Sequence, residues 1–295
     1  MVYALSVKSG KIFRTKVDNI HFDKYLGKAE ITFEGAMKFC RRYWPDEYDE
    51  FKKVSSPNDY PIFIDLEELL THLENLQMYL TLLEVARNQN IVTPFEKGIL
   101  ASFVYIQFLR NHAVMNSSLV GSAELGIDKF EYFVLLKWAL SDKKFLYQKI
   151  GVIGQAPWVF YKTSEDTFPL TDSPILVNSS SVMVALSPRL LLEILHQPTF
   201  DTMGWTIREG VTETKLKEFR QRTIGNTFRE IIFGNKNLLE EWQQSKLFRQ
   251  RMDIVKNIRE YNTIVLKEGQ RELWQINSFG NQNLQTKSSK RKRYK

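Results

Sequence analysis

The chain has 295 residues, 43% of them apolar and 25% charged, with a net charge of +7. That is enough material for a buried core, in the balance of an ordinary globular protein. No apolar run approaches the ~18 to 20 residues that span a bilayer, MVYALSVKSGK lacks the basic region of a signal peptide, and the single Cys40 excludes an internal disulfide or a cysteine-based metal cluster. These features point to a cytoplasmic protein with no membrane partner. Twenty Phe and twelve Tyr predict an aromatic-rich core.

Residues 2–7 and 11–16 are β-type runs around Lys8-Ser9-Gly10, which predicts an N-terminal hairpin. A helix is expected over 33–43, where Cys40 falls in the apolar phase and reads as a buried, inert thiol. The proline-containing stretch 45–61 reads as a surface loop. Asp65 stands as an N-cap with Glu68 three residues on, and Leu66, Leu69, Leu70, Leu73, Leu76, Leu80 and Leu83 then predict one helix to about Asn88. Thr93-Pro94-Phe95-Glu96 is a second start signal. Its helix, through ILASFVYIQFLRNHAV, is apolar nearly all round and is expected to be central and buried. One or two helices follow over 127–150, broken near Ser141-Asp142.

Four short β-type runs, 158–161, 167–170, 175–178 and 182–186, predict a small antiparallel sheet around Asp172. Ser187-Pro188 reads as a helix start, and helices are expected at 188–196, 213–233 and 236–259. Residues 263–267 and 271–276 flank Glu268-Gly269-Gln270 as a closing hairpin. Beyond 278 the chain is polar and then basic. Lys287, Lys290, Arg291, Lys292, Arg293 and Lys295 account for six of the seven net charges, so the remainder carries about +1. The expected layout is a single, mainly helical α+β domain over 1–277, with a helical body at 33–150, and a disordered basic tail over 278–295.

Walker-type glycine loops, GxGxxG, HExxH, GxSxG and paired-cysteine patterns are absent from the sequence. Two constellations remain. Gln107 and Arg110, with Asn111 and His112 beside them, stand on an apolar helix, where a guanidinium needs an anionic partner. Glu67 and Glu74, seven apart, supply one in a structural ion pair; alternatively Arg110 binds a phosphate in a cleft. The second is Thr171-Asp172-Ser173-Pro174, where Asp172 either caps its own turn or serves as a catalytic or metal-binding carboxylate. Asn226 is a polar oddity in a helix, expected to be exposed. Arg110-Asn111 also resembles the opening of the higher eukaryote and prokaryote nucleotide-binding ribonuclease motif, although Met115 and Asn116 occupy the place of its histidine. Arg189 and His196, on one expected helical face, have a spacing that the same family permits.

Taken in order, VYALSVKSGKIFRTKVDNI, DLEELLTHLEN, IQFLRN, FPLTDSPILV and VALSP resemble the family known as domain of unknown function 4238, over most of residues 2–230. Members of that family usually begin with a His- and Pro-containing segment, and this chain starts on the hairpin instead. The resemblance implies no established activity. Its mobile-element and defence-island associations imply a nucleic-acid-directed hydrolase or phage-defence effector by analogy. On that reading Glu74 and Asp172 are the carboxylates, with a divalent metal as the cofactor they could take, and Gln107 and Arg110 bind the anion. The alternatives are a non-catalytic module binding nucleic acid through Lys290, Arg291, Lys292 and Arg293 or binding a partner protein, and a ribonuclease through Arg189 and His196.

Overall fold

The structure is a computed structural model that describes residues 2–15, 28–88, 93–111, 114–115, 118–119, 121–122, 125–178, 180–196 and 204–268, with the side chains of 88 and 258–268 excepted. Its architecture is mixed α+β. The elements are β1 (Val2–Ser6), β2 (Ile12–Thr15), β3 (Lys28–Ile31), α1 (Phe33–Tyr43), α2 (Tyr48–Val54), β4 (Ile62–Asp65), α3 (Leu66–Leu73), α4 (Leu76–Asn88), α5 (Pro94–Arg110), α6 (Lys129–Ser141), α7 (Lys143–Gln155), β5 (Trp158–Lys162), β6 (Leu170–Thr171), β7 (Ile175–Val177), β8 (Ser181–Ser187), β9 (Leu190–Leu195), β10 (Trp205–Glu209), α8 (Glu213–Asn226), β11 (Glu230–Phe233), α9 (Lys236–Gln244) and α10 (Lys246–Glu268).

A five-stranded sheet in the order β10-β5-β9-β8-β7 occupies the centre, antiparallel except where β10 runs parallel to β5. One of its faces carries Trp158, Phe160, Leu190, Leu192 and Ile194 against Leu100, Ala101 and Val104 of α5. Its other face carries Val159, Tyr161 and Leu191 into a second core. That core is completed by a four-stranded sheet in the order β2-β1-β11-β6, by α8 and by the helices behind it, through Phe219, Phe233, Trp242 and Phe248. A third core, around Leu70, Tyr105, Leu109 and Phe133, joins α3, α5 and α6. β3 and β4 pair separately near α1.

The N-terminal hairpin forms as expected, with Gly10 at φ +66° in its turn. α1 also keeps its expected bounds, with Cys40 buried in it and its thiol pushed up by desolvation. Thr93 starts α5 with a capping box to Glu96, and Asp142 ends α6 and begins α7.

The expected helix over 188–196 is instead strand β9. Pro188 and Arg189 form the turn of a β8–β9 hairpin, and the run LLLEIL is apolar because a middle strand is covered on both faces. The expected helix over 213–233 stops at Asn226, and 230–233 is the inner strand β11. The run from Asp65 to Asn88 breaks at Glu74-Asn75 into α3 and α4, and Asp65 caps the amide of Glu67. The stretch 45–61 holds α2 between two 3-10 turns rather than a bare loop. The helix expected over 236–259 divides at Ser245, and 263–267 continues α10 in place of a hairpin strand; 271–276 and the basic tail fall outside the described residues. The β-runs around Asp172 belong to two sheets, since β6 pairs with β11 and not with β7.

Leu192 is wholly buried between α5 and the neighbouring strands. Leu192→Ala is therefore expected to cost about 2–5 kcal/mol of stability, read from the midpoint of urea unfolding.

Candidate functional site

Gln107 and Arg110 share one face at the C-terminal end of α5, as their spacing implies. The Arg110 Nε donates to Glu67 Oε1 at 2.8 Å, and its other nitrogens donate to both oxygens of Glu74. Gln107 Nε2 donates to Glu74 Oε1 at 3.4 Å, and the Tyr79 hydroxyl donates to Glu74 Oε2 at 2.6 Å. The Arg110 and Glu74 side chains are 7% and 6% exposed. Burial pulls the guanidinium down, but its bonds to Glu74 and Glu67 outweigh burial and raise its pKa. The bond to Glu74 pushes the Tyr79 hydroxyl up to about 12. This is a closed ion cluster, in which the protein's own carboxylates occupy the fork that a phosphate would take. Asn111 continues the chain to the central sheet by donating to the Ile175 carbonyl. His112 lies outside the described residues.

Asp172 sits in the β6–β7 turn with different partners. Its carboxylate accepts from the Phe228 amide at 3.2 and 3.3 Å and from the Arg229 amide at 3.1 Å. It therefore ties a turn more than fifty residues ahead, not its own backbone as an Asx turn would. Arg251 of α10 lies beside it. Its Nε donates to the Thr227 carbonyl at 2.7 Å, and its guanidinium lies 4.4 Å from the centre of the Phe228 ring. Burial raises the Asp172 carboxyl to about 6 against the loop amides and Arg251. Burial also lowers Arg251 to about 10. Glu74 and Asp172 thus belong to separate sets of partners.

The remaining candidates do not assemble a site. Arg189 is exposed in the β8–β9 turn and pairs with Asp166 at 2.8 Å. His196 is exposed beyond the far end of β9, so the two stand roughly 20 Å apart along an extended strand. The shared helical face that the ribonuclease reading needs does not exist. Asn226, expected to be exposed, is buried at the end of α8 and donates to the Arg222 carbonyl at 2.8 Å. Lys290, Arg291, Lys292 and Arg293 lie outside the described residues.

The sequence reading missed a buried network on β9. Glu193 accepts from the Tyr161 hydroxyl at 2.9 Å, the Ser181 hydroxyl at 2.8 Å and Lys215 Nζ at 3.0 Å. Lys215 also pairs with Glu218, which in turn binds Arg222. Burial drives the Tyr161 hydroxyl upward, with Glu193 adding to it. Burial raises Glu218, yet Lys215 and Arg222 overcome it and hold the carboxyl below its usual value. A lone Glu in LLLEIL, followed by Lys215, Glu218 and Arg222 at i, i+3, i+7, was the available signal.

A solvent-facing groove was missed as well. It is a cavity of about 290 Å³ whose floor is Phe95, Ile99, Ser102 and Ile106 of α5, flanked by Leu146, Tyr147 and Ile150 of α7 and by Leu73 and Met78 at the α3–α4 junction. Phe95 and Tyr147 on its rim are each 68% exposed. Among the described residues no group of three or more His, Cys, Asp and Glu side chains is placed to hold a metal ion, and no helix is long and apolar enough to cross a membrane. No known protein family, curated protein or solved structure matches this chain.

Two outcomes test these assignments. Arg110→Ala strands the buried Glu74 charge and is expected to cost about 3–5 kcal/mol, with most of that recovered in Arg110→Met/Glu74→Leu; urea unfolding of both variants reads it. For Asp172, the folded carboxyl holds its proton longer than the unfolded one (about 6 against 3.8). Folding stability accordingly falls as pH rises through that window, by about 3 kcal/mol, and is level above it. The unfolding free energy of wild type minus that of Asp172→Asn, followed from about pH 3.5 to pH 7, should decline by that amount. A flat difference would remove the assignment.

Proposed function

We propose that this protein is a non-catalytic binding module, and that the groove between α4, α5 and α7 receives a partner protein. The observation that carries the reading is that α5 is apolar nearly all round, yet the face bearing Phe95 and Ile99 is left open to solvent. Exposed aromatics on the rim of a preformed apolar groove are the usual anchors of a protein contact. The hydrolase reading has less support. Glu74 is bonded to Arg110, and Asp172 to loop amides beside Arg251, so both carboxylates already have their acceptors occupied. The likeness to the domain of unknown function 4238 family stays part of this proposal, on the order of its motifs alone, and brings no activity with it.

Selection from a displayed library of short helical peptides tests the reading. Binders are expected to emerge whose binding is lost on Phe95→Asp and on Tyr147→Asp. Because both positions are exposed, the unfolding midpoint should stay within about 0.5 kcal/mol of wild type. The reading is wrong if binders ignore both substitutions, or if the purified protein cleaves nucleic acid with an activity that Glu74→Gln and Asp172→Asn abolish.

A further inference from the structure

The floor of the groove is one stripe of α5, with Phe95, Ile99, Ser102 and Ile106 spaced by four, three and four residues. It therefore runs about 16 Å, or three helical turns. At about 290 Å³ it is at the small end of ligand pockets, which run ~300–1,000 Å³, and it suits a row of side-chain anchors better than a cofactor. Its walls are helices, and a helix laid between two others meets them ridge into groove.

Charge then decides the occupant. α7 carries Lys143, Lys144 and Lys149 and no acid among its thirteen residues. All three lysines are exposed, and none forms an ion pair among the described residues. Lys143 and Lys144 stand four and three residues before Tyr147 and so fall on its side of the helix, whereas Lys149, two residues after it, faces away. Asp142, the nearest acid in sequence, is engaged by the amides of Lys144 and Phe145. On the opposite wall the lining residues Leu73, Asn75, Gln77 and Met78 are uncharged, and Glu74, between Leu73 and Asn75, is held by Arg110. A second copy of this chain would bring the same lysines against themselves. The chain's own 278–295 stretch is cationic and would be repelled in the same way.

We propose that the groove binds an acidic amphipathic helix of another protein, its apolar stripe lying on Phe95, Ile99 and Ile150 and its carboxylates meeting Lys143 and Lys144. The proposal rests on the docking reading above and adds the chemistry of the partner. It is tested by fluorescence anisotropy with three synthetic helical peptides of about 14 residues. They share apolar residues at i, i+4 and i+7 and carry Glu, Gln or Lys on the flanks. Two exposed ion pairs, each weak alone, predict that the Glu peptide binds roughly fivefold tighter than the Gln peptide. That advantage should shrink as ionic strength rises from about 0.05 to about 0.5 M. The double variant Lys143→Glu/Lys144→Glu should prefer the Lys peptide. Equal binding of all three peptides, still lost on Phe95→Asp, would overturn the charge selection and leave the docking reading standing. If no peptide binds, both fall. A wild-type dimer in sedimentation that Phe95→Asp converts to monomer would identify a second copy as the occupant and overturn the proposal.

Discussion

Strand β9 is the element on which the rest of the structure depends. Side chains alternate along a strand, so Leu190, Leu192 and Ile194 go to one face and Leu191 and Glu193 to the other. Burying such a run on both faces contributes on the order of 10 kcal/mol, but only if cover arrives from both sides. The cover comes from α5 on one face and from α8 with the four-stranded sheet on the other. Glu193 then imposes a further condition, because a buried carboxylate must be matched. Tyr161, Ser181 and Lys215 match it, and Lys215 with Arg222 fixes which face of α8 turns inward. Asp172 sets where α8 ends by holding the amides of Phe228 and Arg229, so that the chain re-enters the fold as β11.

How much of this could be read from residues alone follows from how local each signal is. Thr93 was legible as a helix start, and Ser141-Asp142 as a break, because such signals are decided within three or four residues. The β1–β2 hairpin was legible for the same reason, since Gly10 supplies the positive φ its turn requires. The segment 188–196 was misread because a run apolar on all sides is the same pattern for a buried helix and for a middle strand. Length and the Ser187-Pro188-Arg189 turn were the arbiters there, and Pro served equally well as a helix start. The end of α8 was misread because its stop signal lies elsewhere: Asp172, far back in the chain, ends the helix from outside. In the candidate site, the pairing of Arg110 with Glu67 and Glu74 was legible from helical spacing, whereas the partners of Asp172 were not, being backbone amides that carry no side-chain signature.

The buried ionic clusters organise the groove as well as the core. Glu74 stands where α3 gives way to α4, and Arg110 and Gln107 of α5 draw it inward. That fixes Leu73 and Met78 beside Ile106 and so builds one end of the cavity. On the far wall, Gly154 of α7 comes close to Ala101 of α5, where a Cβ would already be in contact at 3.7 Å. An alanine would fit there, so α7 lies along α5 at ordinary packing distance at that end. Glu74 and Arg110, read from sequence as a carboxylate and an anion clamp, fasten one end of the open surface in space.

That the groove is built from locked elements bears on how it would bind. A surface assembled from mobile side chains must be ordered on association, and the lost freedom subtracts from affinity. Here the floor is one face of α5, whose other side is held on the central sheet by Leu100, Ala101 and Val104. Phe95 and Tyr147 are aromatic, with few rotatable bonds, and expose large apolar area at little cost in ordering. A partner helix of the proposed kind would therefore meet a site that needs little rearrangement, with its own folding the main entropy to be offset. In the proposed contact, preorganisation on this side would lower the ordering cost, so that only anchor side chains of a longer segment need enter a cavity of about 290 Å³. A few anchors suffice when the surface that receives them does not have to move.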